Sequence, residues 1–307
     1  MRRLGFTMIE LVFVIVIMGI LGKFGVEFIA QAYKNFIYAN VNHKLQSDSE
    51  MAVESIASRL QFRIKDSVIG RRSDDFTKFE APASINAPLV PEDYNILEWV
   101  GSDVDGLRGD STKPYWSGII DLRDSNTTKY ALKSPETNTT KIDNLIKILS
   151  PTGKDINGSA LYFVGSNSNI KTGYGWDGNA LTDQNGTMHP IDRNSSNEVM
   201  FVPKNTDFGG VDVYEYYQLA WTAYAVGIDD YNNTKHEGTL KIWYDYRPWI
   251  GERYDQNGTS SVLMEHVSTF RFKAVGSVMK VQVCVKSDII DGSSDGGYSL
   301  CKEKTVF

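Results

Sequence analysis

Apolar and polar positions are unevenly distributed along this chain. Residues 11–22, LVFVIVIMGILG, carry no charge, as a membrane-crossing or deeply packed helix does. Beyond them, Phe24, Phe28, Ile29, Phe36, Ile37, Val41 and Leu45 fall largely at three- and four-residue spacing. Met51, Ala52, Ile56, Leu60, Arg63 and Ile64 continue the stretch, with no proline before Pro82. The pattern predicts one helix from about residue 6 to about residue 68, roughly 90 Å long at 1.5 Å per residue. Its first half would span a bilayer and its second half would lay an apolar face on a head domain. Gly19, Gly22 and Gly25 lie at three-residue spacing. They are either ordinary glycines of a membrane helix or a surface for close helix packing.

Residues 70–115 show no clear period and contain Pro82, Pro88, Pro91 and Pro114. Short apolar or alternating runs follow at 116–122, 161–164, 199–202, 213–226, 239–246, 267–275 and 278–285, separated by Gly, Asn and Asp clusters. These predict strands and turns. Strands after one long helix predict an α+β chain: an N-terminal helix over 6–70, then a mainly antiparallel β-sheet head over 71–307. The long polar segment 85–210 reads as insertions on that head. The tyrosines and tryptophan at 214, 216, 217, 221 and 224 read as sheet core.

The 307-residue average looks like a soluble protein, 41% hydrophobic and 23% charged, with net charge −6. A single apolar segment excludes a multispan membrane protein. The acidic balance argues against a nucleic-acid binder, unless a local basic patch such as Lys65, Arg71 and Arg72 is used. With 12% aromatic residues to bury, whole-chain disorder is excluded. His43, His189, His236 and His266 do not pair with Cys or His at metal-ligand spacing, and P-loop, G-x-S-x-G and H-E-x-x-H motifs are lacking. Residues 173–178, GYGWDG, fit a surface turn better than a phosphate loop. The chain therefore reads as non-catalytic, with no cofactor.

Arg2 and Arg3 precede the apolar run and would stay on the cytoplasmic side. A secretory signal peptide or plain anchor shares that feature. Neither accounts for the missing small-residue cleavage site after the run, or for Glu10, a carboxylate inside it with no cation beside it. Cutting after Gly5 would leave an amine on Phe6 one helical turn from Glu10. In a helical stack, that amine could pair with Glu10 of a neighbouring subunit.

Residues 2–11, RRLGFTMIEL, resemble the class III leader of type IV pilins and pseudopilins. The resemblance covers about the first 25 residues. It implies cleavage between Gly5 and Phe6 by prepilin peptidase, N-methylation of Phe6, and a docking role for Glu10. Retention of Glu10 weighs against the K-type tip pseudopilins. Near the C-terminus, the strand run 240–244 precedes Leu263-x-Glu265-x-Val267-x-x-Phe270-x-Phe272 and the run 278–283. That order is similar to PilW-type minor pilins and J-type minor pseudopilins. The implied protein has a leader over 1–5 and is inserted in the inner membrane with its head in the periplasm. It then enters a pseudopilus or a cell-surface pilus. Its implied partners are other pilin or pseudopilin subunits and the assembly platform. Its implied role is priming or capping a type IV pilus or type II secretion pseudopilus. The alternative is a pilus-tip adhesin or a ligand-binding, DNA-uptake subunit.

Cys284 and Cys301 are the only cysteines, and the leader puts them outside the cytoplasm. Type IV pilins commonly close a C-terminal disulfide loop, so the resemblance implies a bond between them. Such a bond would contribute about 3 kcal/mol on the chain-entropy model. The alternative, two free thiols, is disfavoured by an oxidising compartment. Asp288, Asp291 and Asp295 lie within this loop and could hold Ca²⁺, although their spacing is not that of an EF-hand.

N-x-[ST] occurs at Asn126, Asn138, Asn157, Asn185, Asn194, Asn232 and Asn257. Two residues before each stands an acid: Asp124, Glu136, Asp155, Asp183, Asp192, Asp230 and Asp255. With 38 acids in 307 residues, seven of seven by chance is on the order of one in a million, before allowing for the choice of pattern. The pattern D/E-x-N-x-S/T resembles the extended acceptor sequence of bacterial oligosaccharyltransferases. It implies N-glycans on exposed turns of the head.

Overall fold

The computed structural model describes residues 7–85, 93–287 and 298–307. Its first element is α1 (Met8–Leu60), 53 residues long and so about 80 Å from end to end. The strands are β1 (Ile69–Arg71), β2 (Phe79–Glu80), β3 (Ile96–Gly101), β4 (Leu132–Lys133), β5 (Ser159–Phe163), β6 (Met188–Arg193) and β7 (Met200–Pro203). They continue as β8 (Tyr217–Ala220), β9 (Thr222–Asn232), β10 (Glu237–Tyr246), β11 (Thr259–Val275), β12 (Val278–Ser287) and β13 (Tyr298–Val306). Three short helices, α2 (Val104–Arg108), α3 (Thr139–Leu149) and α4 (Tyr254–Asn257), lie among them. The expected α+β class holds: a long apolar N-terminal helix, then antiparallel sheets.

The strands form two sheets. One has the order β13-β12-β11-β10-β9-β3-β1-β2, the other β4-β7-β6-β5-β8. Alternation along the strands assigns each face its partner. Leu97, Trp99, Val226, Ile242, Val281 and Val283 of the larger sheet pack under α1, against Ala52, Val53, Ile56 and Leu60. Ile96, Val100, Ala223 and Ala225 point the other way and meet Ala160, Tyr162, Met188 and Ala220 of the smaller sheet. The far side of the smaller sheet, with Leu161, Phe163, Ile191 and Leu219, is covered by Ile142 and Ile146 of α3. The layers therefore run α1, large sheet, small sheet, α3.

Several boundaries differ from the sequence expectation. The helix ends at Leu60, not near residue 68, because the chain next joins the large sheet. Ile64 N donates to Val100 O at 2.9 Å and Arg63 bridges to Gly101. The segment 85–210 is an insertion only in part: β4 to β8 fall between β3 and β9, which are neighbours in the large sheet. It supplies β3, third from the far edge of the large sheet, and most of the small sheet with its own core. The run 116–122 forms only a bridge, Ile119 to Tyr216. The run 213–226 divides at Trp221, giving β8 to the small sheet and β9 to the large one. The last strand is β13, beyond the expected one. Residues 173–178 form a turn, but not a surface one: 173–176 are buried, with Tyr174 and Trp176 as core anchors, and only Asp177 is exposed. Gly175, at φ +78°, is required there, since a Cβ would lie 2.1 Å from Pro248 O. Of the five aromatics at 214–224, Tyr217 and Trp221 are core and Tyr224 stacks on Trp99 at 5.6 Å, whereas Tyr216 is exposed.

Candidate functional site

The N-terminal half of α1 stands free of the head. Every large apolar side chain from Met8 to Phe36 is exposed, including Phe24, Phe28, Ile29 and Phe36 of the expected head-facing stripe. Among the described residues, this is the one helix long and apolar enough to cross a membrane. Burial starts only at Ser49 and follows 49, 52, 53, 56, 57 and 60, a three- and four-residue stripe that faces the sheet. Ile37, Val41 and Leu45 are half-buried at its approach. A Cβ added to Gly19, Gly22 or Gly25 would meet nothing, so packing within this chain does not require glycine at any of the three.

Glu10 sits in the first turn of α1. Its Oε2 accepts from Thr7 N at 2.9 Å and from Thr7 Oγ1 at 2.7 Å. This return to the start of the helix is the arrangement of a capping box. The carboxylate is thus locally partnered by Thr7 in the single chain. Gly5 and Phe6 lie outside the described residues.

One residue that sequence reasoning took for part of the helix fastens its other end. Arg63 is buried, and its Nη1 donates to Leu60 O at 2.8 Å and to Phe307 O at 3.4 Å, while Nη2 donates to Ser277 O at 3.1 Å. A single guanidinium therefore joins the C-terminal carbonyl of α1, the β11–β12 turn and residue 307. Outside the apolar stripe, Glu54 pairs with Lys304 at 2.6 Å and Glu50 with Lys302 at 3.7 Å. Both lysines belong to β13.

Cys284 and Cys301 are bonded. They face each other across β12 and β13, so the bond closes the hairpin formed by these two strands. Asp288, Asp291 and Asp295 lie outside the described residues. Among the described residues, no group of three His, Cys, Asp or Glu is placed to hold an ion.

The suggested basic patch is not present. Arg71 is fully buried in an ion pair with Glu98, and its Nη2 donates to Trp176 O at 2.8 Å. Glu98 also accepts from Tyr246 Oη at 3.0 Å. Burial pushes the Glu98 carboxyl up against the pull of Arg71. Arg72 binds Asp74 at 2.7 Å and Asp93 at 3.0 Å, which leaves Lys65 without the expected cationic neighbours. A third buried arginine, Arg247, donates to the carbonyl oxygens of Trp221, Asn157 and Asp155, tying the bend between β8 and β9 to the start of β5. The sequence offered Arg71 only as a surface cation and gave no sign that Arg247, just past the end of β10, is buried.

The seven sequon asparagines are spread over the head. Asn126, Asn157, Asn185, Asn232 and Asn257 are exposed, and Asn138 and Asn194 are half-buried. Asn138 caps α3, its side chain accepting from Lys141 N at 2.9 Å. Asn194 and Asn232 close Asx turns on Ser196 N and Thr234 N. A groove of about 710 Å³ opens beside Tyr94, Asn95, Tyr231, Arg271, Lys273 and Gln282. Gln282 alternates with Val281 and Val283, which face α1, so the groove lies on the opposite side of the large sheet. Compared with known protein families, curated proteins and solved structures, the chain matches none.

Proposed function

We propose that this chain is a non-catalytic subunit of a type IV pilin-like filament, a minor pilin or minor pseudopilin that primes or caps assembly. The observation that carries the proposal is the division of α1. One helix presents a bare apolar half with a single carboxylate near its tip, while its other half is fixed to a folded head. Apolar side chains of that extent need either lipid or the helices of neighbouring subunits around them. Both environments occur in succession if the protein is held in the inner membrane and then drawn into a filament. Processing at Gly5 and Phe6 by prepilin peptidase would place a new amine beside Thr7 and Glu10. The amine of an incoming subunit then exchanges for Thr7 as the partner of Glu10.

Glu10→Ala tests this reading. The variant is expected to be cleaved and to fold normally, yet to be lost from sheared filament fractions. Equal incorporation of the variant and the parent chain would sink it. Intact mass of the native protein checks the processing, which predicts loss of residues 1–5 and one added methyl group.

The groove beside Tyr231 and Arg271 favours a second reading, a tip subunit whose head holds a ligand. Aromatic and cationic side chains converge there, away from α1. Deleting the gene separates the two readings. Loss of all filaments supports priming, whereas normal filaments that no longer adhere support ligand binding.

A further inference from the structure

Twelve asparagines of this chain lie outside N-x-[ST], and only Asn95 and Asn179 have an acid two residues before them. All seven sequon asparagines do. The acid therefore goes with the sequon and not with asparagine in general.

Local folding explains part of this. Asp124, Asp155 and Asp183 accept from the backbone N–H of Asn126, Asn157 and Asn185 at 2.8–2.9 Å, the hydrogen bond of an Asx turn. Asp177 does the same for Asn179, which is not in a sequon. The other four acids have different partners. Asp192 accepts from Gly158 N, Asp230 from Lys241, Asp255 from Arg253, and Glu136 from Lys113. No single structural need of the head places an acid at all seven positions.

We infer that these asparagines are acceptors for an acid-requiring bacterial oligosaccharyltransferase, and that the folded head divides them into early and late sites. In the reaction, Asn Nδ2 attacks the anomeric carbon of a lipid-diphosphate-linked oligosaccharide. The C–N bond forms, the C–O bond to phosphate breaks, the lipid diphosphate leaves, and the amide proton passes to a base of the transferase. The transferase must also reach the Ser or Thr hydroxyl two residues on. At Asn157 and Asn185 that hydroxyl belongs to Ser159 and Thr187, both buried in the folded head. At Asn138, Glu198 holds both Asn138 Nδ2 and Thr140 Oγ1, at 2.9 and 2.6 Å. These three sequons are readable only before the head closes. Thr128, Ser196 and Thr234 are exposed and Thr259 is half-buried, so Asn126, Asn194, Asn232 and Asn257 stay readable afterwards. The inference needs export of the head but not its assembly into filaments.

The test compares the full chain made in cells together with such a transferase and its lipid-linked donor against unmodified, folded chain treated with both after purification. Glycopeptide mass spectrometry is expected to find modified early and late sites in the first sample. In the second it should find Asn126, Asn194, Asn232 and Asn257 alone. No glycan at any of the seven in the first sample overturns the acceptor assignment. Equal modification of Asn157 and Asn185 in the folded chain overturns the division. Asp230→Asn removes an acid at φ +53° and keeps a residue that tolerates this conformation. It is expected to abolish the glycan at Asn232 alone, and an unchanged glycan there would overturn the acid requirement.

Discussion

Two buried ionisable side chains set opposing pH responses. Asp103 caps α2 by accepting from Gly106 N at 3.1 Å, and burial pushes its carboxyl up to about 6. The folded protein holds this proton after the unfolded chain has released it, so stability falls as pH rises from about 4 to 6. His189 packs against Phe163 with ring centroids 4.7 Å apart, and burial pushes it down to about 4. The unfolded chain takes up that proton first, so stability falls as pH drops from about 6.5 to 4. Each effect amounts to about 3 kcal/mol, and the two run in opposite directions. Asp103→Asn should therefore expose a loss of thermal stability on acidification from pH 6.5 to 4, and His189→Phe a gain. Melting curves at the two pH values check both, and a slope shared with the parent chain would refute the assignment. Neither residue stands out in the sequence. Asp103 is one of 38 acids, and only the folded core distinguishes it.

At the scale of elements, α1 and the long strands were legible because each has a solvent face and a core face, and so a period. β10 shows this well, with Leu240 and Ile242 facing the helix. The elements that escaped have other patterns. All six residues of β3 are buried, so it has no alternation to read. β6 contains Pro190, which usually marks an edge or a break. α3 is only 11 residues long, and its capping Asn138 also stands in a sequon, a motif that carries no helix signal. The proposed processing at Gly5, the proposed role of Glu10 and the sequons rest on local motifs, which need no fold to be seen. Arg63 was not, because its partners at 277 and 307 are more than 200 residues away. The buried stripe of α1 leads to a contrast between two substitutions. Ile56→Ala should cost about 2–5 kcal/mol by opening a cavity under the helix. Phe28→Ala should leave the unfolding of the detergent-solubilised chain unchanged, since Phe28 is 73% exposed. Calorimetry of the two variants decides whether the head is anchored only by the second half of α1.

Across the whole molecule, one covalent bond reinforces the large sheet at its edge. β13 has a single neighbouring strand, β12, and the Cys284–Cys301 bond lies within that pair. Removing it with Cys301→Ser should lower stability by about 3 kcal/mol on the chain-entropy model. A melt of the parent chain with and without reductant should show the same loss, and an unchanged midpoint would mean that β13 is held by α1 alone. The fastening of α1 also has a mechanical consequence. Tension along the helix does not reach the head at one point. It enters at Glu50 and Glu54 through β13 and at Arg63 through residue 307 and the β11–β12 turn. The strand that receives this load is the one riveted to its neighbour by the disulfide. Pulling α1 free thus requires these attachments to fail together, as in a lap joint under shear, and the helix serves as a handle by which the head can be hauled without unravelling.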